Sequence, residues 1–153
     1  QHPHTRGAGA DAAIRMDRPS MIGIDTNMLL RVFVRDEPES QSAAAIALVR
    51  AHAPDGVFVS LLVLAEFARV MTRKLKRTRE ETAHLLERIV EAPEFVVERS
   101  DLFVEALDLY RAAVLDLSDC LIVACARASG AMPLYTFDKS AARDIPGAVQ
   151  LAF

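Results

Sequence analysis

The chain has 153 residues, of which 52% are apolar and 25% are charged, and its formal net charge is -3. This length is enough for one domain with its own core, so neither disulfides nor a structural metal is required for folding. No uncharged apolar run approaches the roughly 18 residues of a membrane-spanning helix. The negative net charge argues mildly against a nucleic-acid binder.

Residues 1–20 are rich in Gly, Ala, His and Arg, have no apolar period and lack the apolar core of a signal peptide. We predict that they form a flexible tail, compatible with a vector-derived segment or an upstream start, and that residues 21–153 form the domain. Met16 and Met21 both suit a native start. Cys120 and Cys125 are predicted to lie on different faces of one helix without pairing, which suggests a reducing, cytoplasmic setting.

From Met21 onward the apolar pattern predicts strands alternating with helices. The predicted strands are 21–25, 57–59, 95–97, 133–137 and a weak fifth at 148–152. A loop is predicted through Asp36, and the predicted helices run from Pro38 to about His52, over 61–75, from 79 onward, from Ser100 to about Ala113, and over 119–129. Ser60, Thr78 with Glu81, and Ser100 are predicted caps, and Gly130 a helix stop. The order predicts an α/β domain of three layers, α/β/α, with a short, mainly parallel sheet of four to five strands.

Acidic residues recur where the predicted strands end. Asp25 ends the first strand, Asp138 ends the fourth, and Asp119 begins the helix that leads back to the fourth strand. Ligands of open α/β sheets bind at this carboxyl edge. Each acid also has a local explanation: a turn at Asp25, a helix-terminus charge at Asp119 and an N-cap at Asp138.

Glu66 lies in the otherwise apolar stretch 61–68, in the helix after the second strand. A lone carboxylate on a largely buried helix is costly unless it is paired or binds a cation. A salt bridge to Arg69 is one solution and a metal ion is the other. Asp116, one helical turn before Asp119, is either a solvated loop acid or part of the same group.

Four carboxylates at one edge repel one another, and a divalent cation is the usual remedy. Oxygen ligands suit Mg²⁺ or Mn²⁺, whereas His2, His4, His52 and His84 show no paired spacing for zinc. The sequence therefore predicts a Mg²⁺ or Mn²⁺ site formed by Asp25, Glu66, Asp119 and Asp138. Such a site is suited to activating water against a phosphodiester.

Several motifs in this order resemble those of PIN-domain ribonucleases, in particular VapC-like toxins. They are IGIDTN at 22–27, SLLVLAEF at 60–67, DLSDCLIVA at 116–124, YTFD at 135–138 and ARDIPG at 142–147. The resemblance covers residues 21–151, essentially the whole domain. The four motifs that contain Asp25, Glu66, Asp119 and Asp138, in this order and at plausible intervals, are more specific than any one of the motifs.

The resemblance implies a Mg²⁺- or Mn²⁺-dependent endoribonuclease, the toxin of a type II toxin–antitoxin pair. Asp25, Glu66, Asp119 and Asp138 are then the catalytic, metal-binding quartet. Asn27 and Thr136 are polar supports, and Asp116 is an auxiliary acid. The resemblance also implies an RNA substrate, a homodimer and a cognate antitoxin protein whose segment lies across the active-site groove.

A basic cluster answers the objection from net charge. Six of the 18 basic residues lie within positions 69–79: Arg69, Arg73, Lys74, Lys76, Arg77 and Arg79. Phosphate affinity depends on local charge, so this cluster is a candidate RNA contact, although a solvated helix end is as common an explanation.

Three other function classes remain open on the sequence. A phosphate-ester hydrolase with an aspartyl nucleophile commonly has a second aspartate two residues on, where this chain has Asn27. A response-regulator-like module needs a lysine after a late strand, and Lys139 is poorly placed for that role. A PIN-like RNA-binding or scaffold domain with a structural metal is the non-enzymatic alternative.

Overall fold

The computed structural model describes residues 20–34 and 39–153. The predicted tail therefore lies, apart from Ser20, outside the described residues. So do Asp36 and Pro38, at which a loop is predicted to end and a helix to begin.

Short strands alternate with helices along the described chain, which confirms the predicted α/β class. The strands are β1 (Ile22–Gly23), β2 (Val57–Val59), β3 (Phe95–Val97), β4 (Leu134–Thr136) and β5 (Ala148–Gln150). The helices are α1 (Thr26–Phe33), α2 (Glu39–His52), α3 (Leu61–Arg69), α4 (Arg79–Glu91), α5 (Ser100–Ala112), α6 (Leu117–Ala128) and α7 (Lys139–Asp144).

All five predicted strands are present and pair in parallel, but they form two sheets where one was predicted. β1, β2 and β3 form a three-stranded sheet in that order, and β4 and β5 form a separate pair. No ladder joins β1 to β4 among the described residues. The reason is the length of β1: it has two residues, because Asp25 already caps the next helix, so its free edge offers few backbone groups for a neighbour.

The loop predicted after the first strand is wrong, because residues 26–33 form helix α1. Asp25 adopts an extended backbone, and its side chain accepts the Met28 N–H as an N-cap. Leu29 on the inner face of α1 is fully buried. Burial of this face stabilises a helix too short to persist alone in water.

The predicted capping box is confirmed, with the Thr78 hydroxyl and the Glu81 carboxylate bonding each other's backbone N–H at the start of α4. Ser60 also caps α3 as predicted. The helix predicted for 61–75 leaves α geometry after Arg69 and continues as a π-helical turn, Val70–Lys74. The starts of α3 and α4 are thus both fixed by hydrogen bonds from nearby backbone N–H groups to side-chain oxygens.

Two other predicted helix starts are displaced. Ser100 is the first residue of α5 and not its cap; Arg99 precedes it with a left-handed backbone, at φ 44°. Helix α6 begins at Leu117, two residues earlier than predicted, with Asp116 in the N-cap position. Gly130 follows α6 with φ 69°, as a helix stop requires.

The core lies between the sheets and the helices, and its largest fully buried side chains include Phe67, Phe103 and Leu64. Burial of each such side chain stabilises the fold by about 1.5–3 kcal/mol. Within this core α3 packs against both α1 and α6, which brings three acid-bearing segments side by side. The cysteines are free, with Cys120 buried and Cys125 exposed, as predicted. No helix in the described ranges is long and apolar enough to cross a membrane.

Candidate metal centre

The structure places the four predicted acids on neighbouring elements. Asp25 follows β1 and caps α1, Glu66 lies on α3, and Asp119 lies in the first turn of α6. Because α3 packs against α1 and α6, these three acids belong to one contiguous set of helices. Asp138 follows β4, and all four residues are exposed.

Asp25 and Asp138 are both held by N-cap hydrogen bonds. Asp25 Oδ1 accepts the Met28 N–H at 2.9 Å, and Asp138 Oδ1 accepts the N–H groups of Ser140 at 2.8 Å and Ala141 at 3.2 Å. The predicted N-cap is therefore confirmed for Asp138, whereas Asp25, for which a turn was the local explanation, caps a helix instead. Capping leaves Oδ2 of each carboxylate without a hydrogen bond from the residues that the structure describes, so the cap orients the side chain while one oxygen stays available.

The surroundings of Asp119 disturb the ionisation of its carboxyl. Partial burial raises the pKa of its carboxyl, and the negative charges of Asp116 and Asp138 raise it further, while Arg69 lowers it. Asp119 and Asp138 also line one cavity of about 200 Å³ between α6, β4 and α7. These two acids, from distant parts of the chain, are thus brought to one place.

Glu66 is exposed, so the premise that it is buried among apolar neighbours is wrong. On the helix it shares a face with Leu62, which is 71% exposed, and with Arg69, which is also exposed. The apolar neighbours Leu64, Phe67 and Ala68 face the core instead. The exposure of Glu66 removes the argument that its charge must be paired, and among the described residues Glu66 forms no salt bridge to Arg69.

Asp116, the predicted auxiliary acid, is paired with Arg73 from the π-helical turn. The Arg73 Nη2 to Asp116 Oδ2 distance is 2.8 Å, and both side chains are largely exposed. Arg69, one helical turn before Arg73, is the cation that lowers the pKa of Asp119. Two arginines from the basic cluster thus stand beside the acids as counter-charges.

The two predicted polar supports differ in what they contact. The Thr136 hydroxyl accepts the backbone N–H of Asp138 at 3.0 Å, which fixes the turn that carries this acid. Asn27 is exposed in the first turn of α1, two residues after Asp25, and its side chain forms no hydrogen bond within the described part of the chain.

The basic cluster is not uniform. Arg79 donates to the backbone carbonyls of Tyr110 and Ala113 and stacks over the Tyr110 ring at 3.9 Å, so it stabilises the C-terminal end of α5. By contrast, four cations of the cluster are exposed and make no side-chain hydrogen bond to described residues: Arg69, Lys74, Lys76 and Arg77. Among these six residues, Arg79 has a structural role that sequence reasoning missed.

Glu98 is an acid at the same edge that the sequence reasoning did not single out. It follows β3, as Asp25 follows β1, and its Oε1 accepts the Leu61 N–H at the start of α3, at 2.9 Å. An acid directly after a predicted strand was the signal that could have found it. Its position supports α3, the helix that carries Glu66.

The donor chemistry of the quartet fits a hard divalent cation, because every side chain offers carboxylate oxygen and the charged form of Asp119 is destabilised by burial and by neighbouring negative charge. In the described ranges, however, no three His, Cys, Asp or Glu side chains lie close enough together to hold a metal ion. The acids are thus adjacent in the fold but not assembled into a closed ligand shell.

A comparison with curated proteins found no match. A family model described as PIN domain matches residues 22–146, which is 125 of the 153 residues and includes all four acids of the quartet. PIN domains are generally nuclease domains and typically depend on Mg²⁺. The match covers well over half of the chain, and the chain therefore belongs to the PIN domain family.

Proposed function

We propose that the chain is a Mg²⁺- or Mn²⁺-dependent endoribonuclease. The observation that carries the proposal is the placement of Asp119, which lines one cavity with Asp138 and whose pKa is raised by burial and, further, by the charges of Asp116 and Asp138. Crowded carboxylates in a domain family that is generally nucleolytic are the expected environment of a divalent cation.

Asp25, Glu66, Asp119 and Asp138 are the residues that would hold the ion. Asp25 and Asp138 are oriented by their N-cap bonds, so little side-chain entropy remains to be lost when Oδ2 binds a ligand. When bound, Mg²⁺ or Mn²⁺ in such a site supplies Lewis-acid activation of water and stabilises charge on phosphate oxygens. Because no three acids are close enough beforehand, ion binding must draw their side chains together.

The exposed cations after Glu66 are proposed to hold the RNA backbone. Arg69 and Arg73 lie on the same helix face as Glu66, and Lys74, Lys76 and Arg77 follow them. Phosphate contacts of this kind position a nucleic acid without reading its sequence. Arg79 is left out of this set, because its guanidinium is engaged with the end of α5 and the residue is half-buried, whereas the ion pair of Arg73 with Asp116 is largely exposed.

The toxin role, with a cognate antitoxin protein and a homodimeric state, is proposed on the resemblance of the motifs at 22–27, 116–124 and 142–147. Expression of the chain in a bacterial host tests the toxin role. Growth arrest that is relieved by Asp119→Asn supports it, and normal growth at an equal level of soluble protein contradicts it.

Incubation of the protein with end-labelled structured RNA, in Mg²⁺, Mn²⁺ or EDTA, tests the nuclease function. We expect internal cuts with either metal, none in EDTA, and none with Asp25→Asn. Glu98→Gln is the matched control, because Glu98 lies at the same edge but outside the quartet. Cuts that persist in purified Asp25→Asn would contradict the site assignment.

A metal-free RNA-binding domain is the second candidate. It is favoured by the absence of a ready-made metal cluster among the described residues and by the pairing of Asp116 with Arg73. Tight RNA binding in EDTA, without cleavage over a range of RNAs and metals, would support this candidate over the nuclease.

A further inference from the structure

The exposed aromatic residues of the chain are gathered on one small surface. The chain has seven Phe and two Tyr, all within the described ranges. Only Tyr135, Phe137 and Phe153 among these nine are exposed, at 62%, 63% and 103%, and the other six are buried or half-buried. Exposed aromatic groups that are clustered in this way indicate a binding surface more often than scattered ones.

These side chains share one face of the β4–β5 pair, which we call the aromatic face. Leu134 and Thr136 of β4 are partly covered, whereas Tyr135 between them and Phe137 after them are exposed, as strand alternation requires. Tyr135 pairs in register with Val149, which is also exposed, and the Phe137 and Phe153 rings meet edge to face with centroids 5.5 Å apart.

The aromatic face adjoins the candidate metal centre. Phe137 immediately precedes Asp138, and Tyr135 borders the same cavity of about 200 Å³ as Asp119 and Asp138. Thr136, which lies between Tyr135 and Phe137 in the sequence, accepts the Asp138 N–H through its hydroxyl, so the backbone that presents the rings also fixes the acid. A ligand in contact with both rings is therefore beside the proposed reaction centre.

We propose that Tyr135 and Phe137 stack unpaired bases of the RNA substrate next to the metal centre, an inference that rests on the proposed nuclease function. Side chains two residues apart on a strand stand about 6.6–6.8 Å apart, which suits splayed bases and not a continuous duplex stack. Proteins commonly recognise single-stranded RNA by stacking its bases on aromatic rings. The enzyme then selects unpaired segments such as loops.

The composition of the surface favours nucleic acid over a protein partner. Aromatic rings supply three of its exposed side chains, and Lys139 and Arg143, both exposed, lie on the helix that Asp138 caps, where the Arg143 guanidinium also pairs with Asp144. Rings beside cations match bases beside phosphates. A second copy of the chain is the competing occupant of this face.

Binding of a short labelled single-stranded RNA, in EDTA so that no cleavage occurs, tests the proposal. Tyr135→Ala and Phe137→Ala are each expected to weaken the affinity about 5- to 150-fold, while binding of the same RNA in a duplex changes little. Tyr135→Phe retains a ring and is expected to retain the affinity. Val104→Ala, at an exposed apolar position on α5, is the control and is expected to change nothing.

Tyrosine fluorescence gives a direct reading of stacking, because the chain has no Trp and its other tyrosine, Tyr110, is buried. Single-stranded RNA is expected to quench the wild-type emission, and the quenching is expected to disappear in Tyr135→Phe. Equal quenching in both proteins would contradict base stacking on Tyr135.

The remaining outcomes separate this inference from the nuclease function. Metal-dependent cleavage with unchanged single-strand affinity in both Ala variants overturns the stacking proposal and leaves the nuclease intact. Loss of affinity in those variants without any cleavage supports stacking and overturns the nuclease. A subunit contact replaces stacking as the explanation if the wild type is a dimer, Phe137→Ala dissociates the dimer, and Phe137→Leu restores both the dimer and the RNA affinity.

Discussion

Replacement of Asp138 by Asn and by Ala separates its two proposed roles, as an N-cap and as a metal ligand. Its Oδ1 accepts two backbone N–H groups at the start of α7. Asn preserves an acceptor oxygen at this position, whereas Ala removes it, at a cost of about 0.5–2 kcal/mol in the free energy of unfolding. Asn loses only the charge at the helix terminus, about 0.3–1 kcal/mol at low salt.

Thermal unfolding in EDTA, followed by circular dichroism, measures the contribution of the N-cap to stability. Metal-dependent RNA cleavage measures whether the negative charge of Asp138 is required for activity. We expect Asp138→Asn to unfold close to the wild type and Asp138→Ala to unfold at a lower temperature, with cleavage lost in both. Thr78→Ala is the control, since it removes a cap of α4 far along the chain and should reduce stability by about 1 kcal/mol without affecting cleavage. If Asp138→Asn cleaves RNA as the wild type does, Asp138 is only a cap.

Three further predictions concern electrostatics and the basic cluster. The folded-state pKa of Asp119 is raised, so its charged form destabilises the fold; in EDTA this destabilisation is complete above that pKa and disappears below the usual value of 3.8. Asp119→Asn should therefore raise the free energy of unfolding at pH 7 by about 0.2–1 kcal/mol, after screening by solvent, and leave it unchanged near pH 3, as measured by thermal melts. Arg79→Ala should lower the free energy of unfolding by about 1–3 kcal/mol in urea titrations, because it breaks charged hydrogen bonds to two carbonyls, and an unchanged midpoint would contradict this role. Arg77→Ala, in contrast, should leave stability unchanged and weaken RNA binding with a smaller salt dependence, and equal salt slopes would show that it makes no phosphate contact.

Local signals predicted the helix starts well where a side-chain oxygen bonds the nearby backbone. Ser60 and Thr78 cap their helices through residues three positions on, so all the required information lies within four residues. Helix α1 was missed because the same chemistry at Asp25 also suits a turn. What decides between the two is the burial of Leu29 against distant segments, which a local pattern does not contain.

The sequence predicted which acids form the candidate site and at which edge of the sheet they lie, but not which side chains contact one another. Strand alternation with helices placed the acids near one edge, and the structure brings Asp119 and Asp138 to one cavity. Glu66 was misjudged because its neighbours in sequence are apolar, whereas its neighbours on the helix face are Leu62 and Arg69, both exposed. The pairing of Asp116 with Arg73, 43 residues apart, depends on tertiary packing and has no local signal.

Mn²⁺ binding, followed by the paramagnetic resonance signal of the free ion, shows whether the four carboxylates form a metal centre. We expect the wild-type protein to bind Mn²⁺, Mg²⁺ to compete for the same site, and Asp119→Asn to abolish or strongly weaken binding. Glu98→Gln should bind Mn²⁺ as the wild type does. Absence of Mn²⁺ binding by the folded wild-type protein, or binding of equal strength by Asp119→Asn, would contradict the claim that these carboxylates form a metal centre.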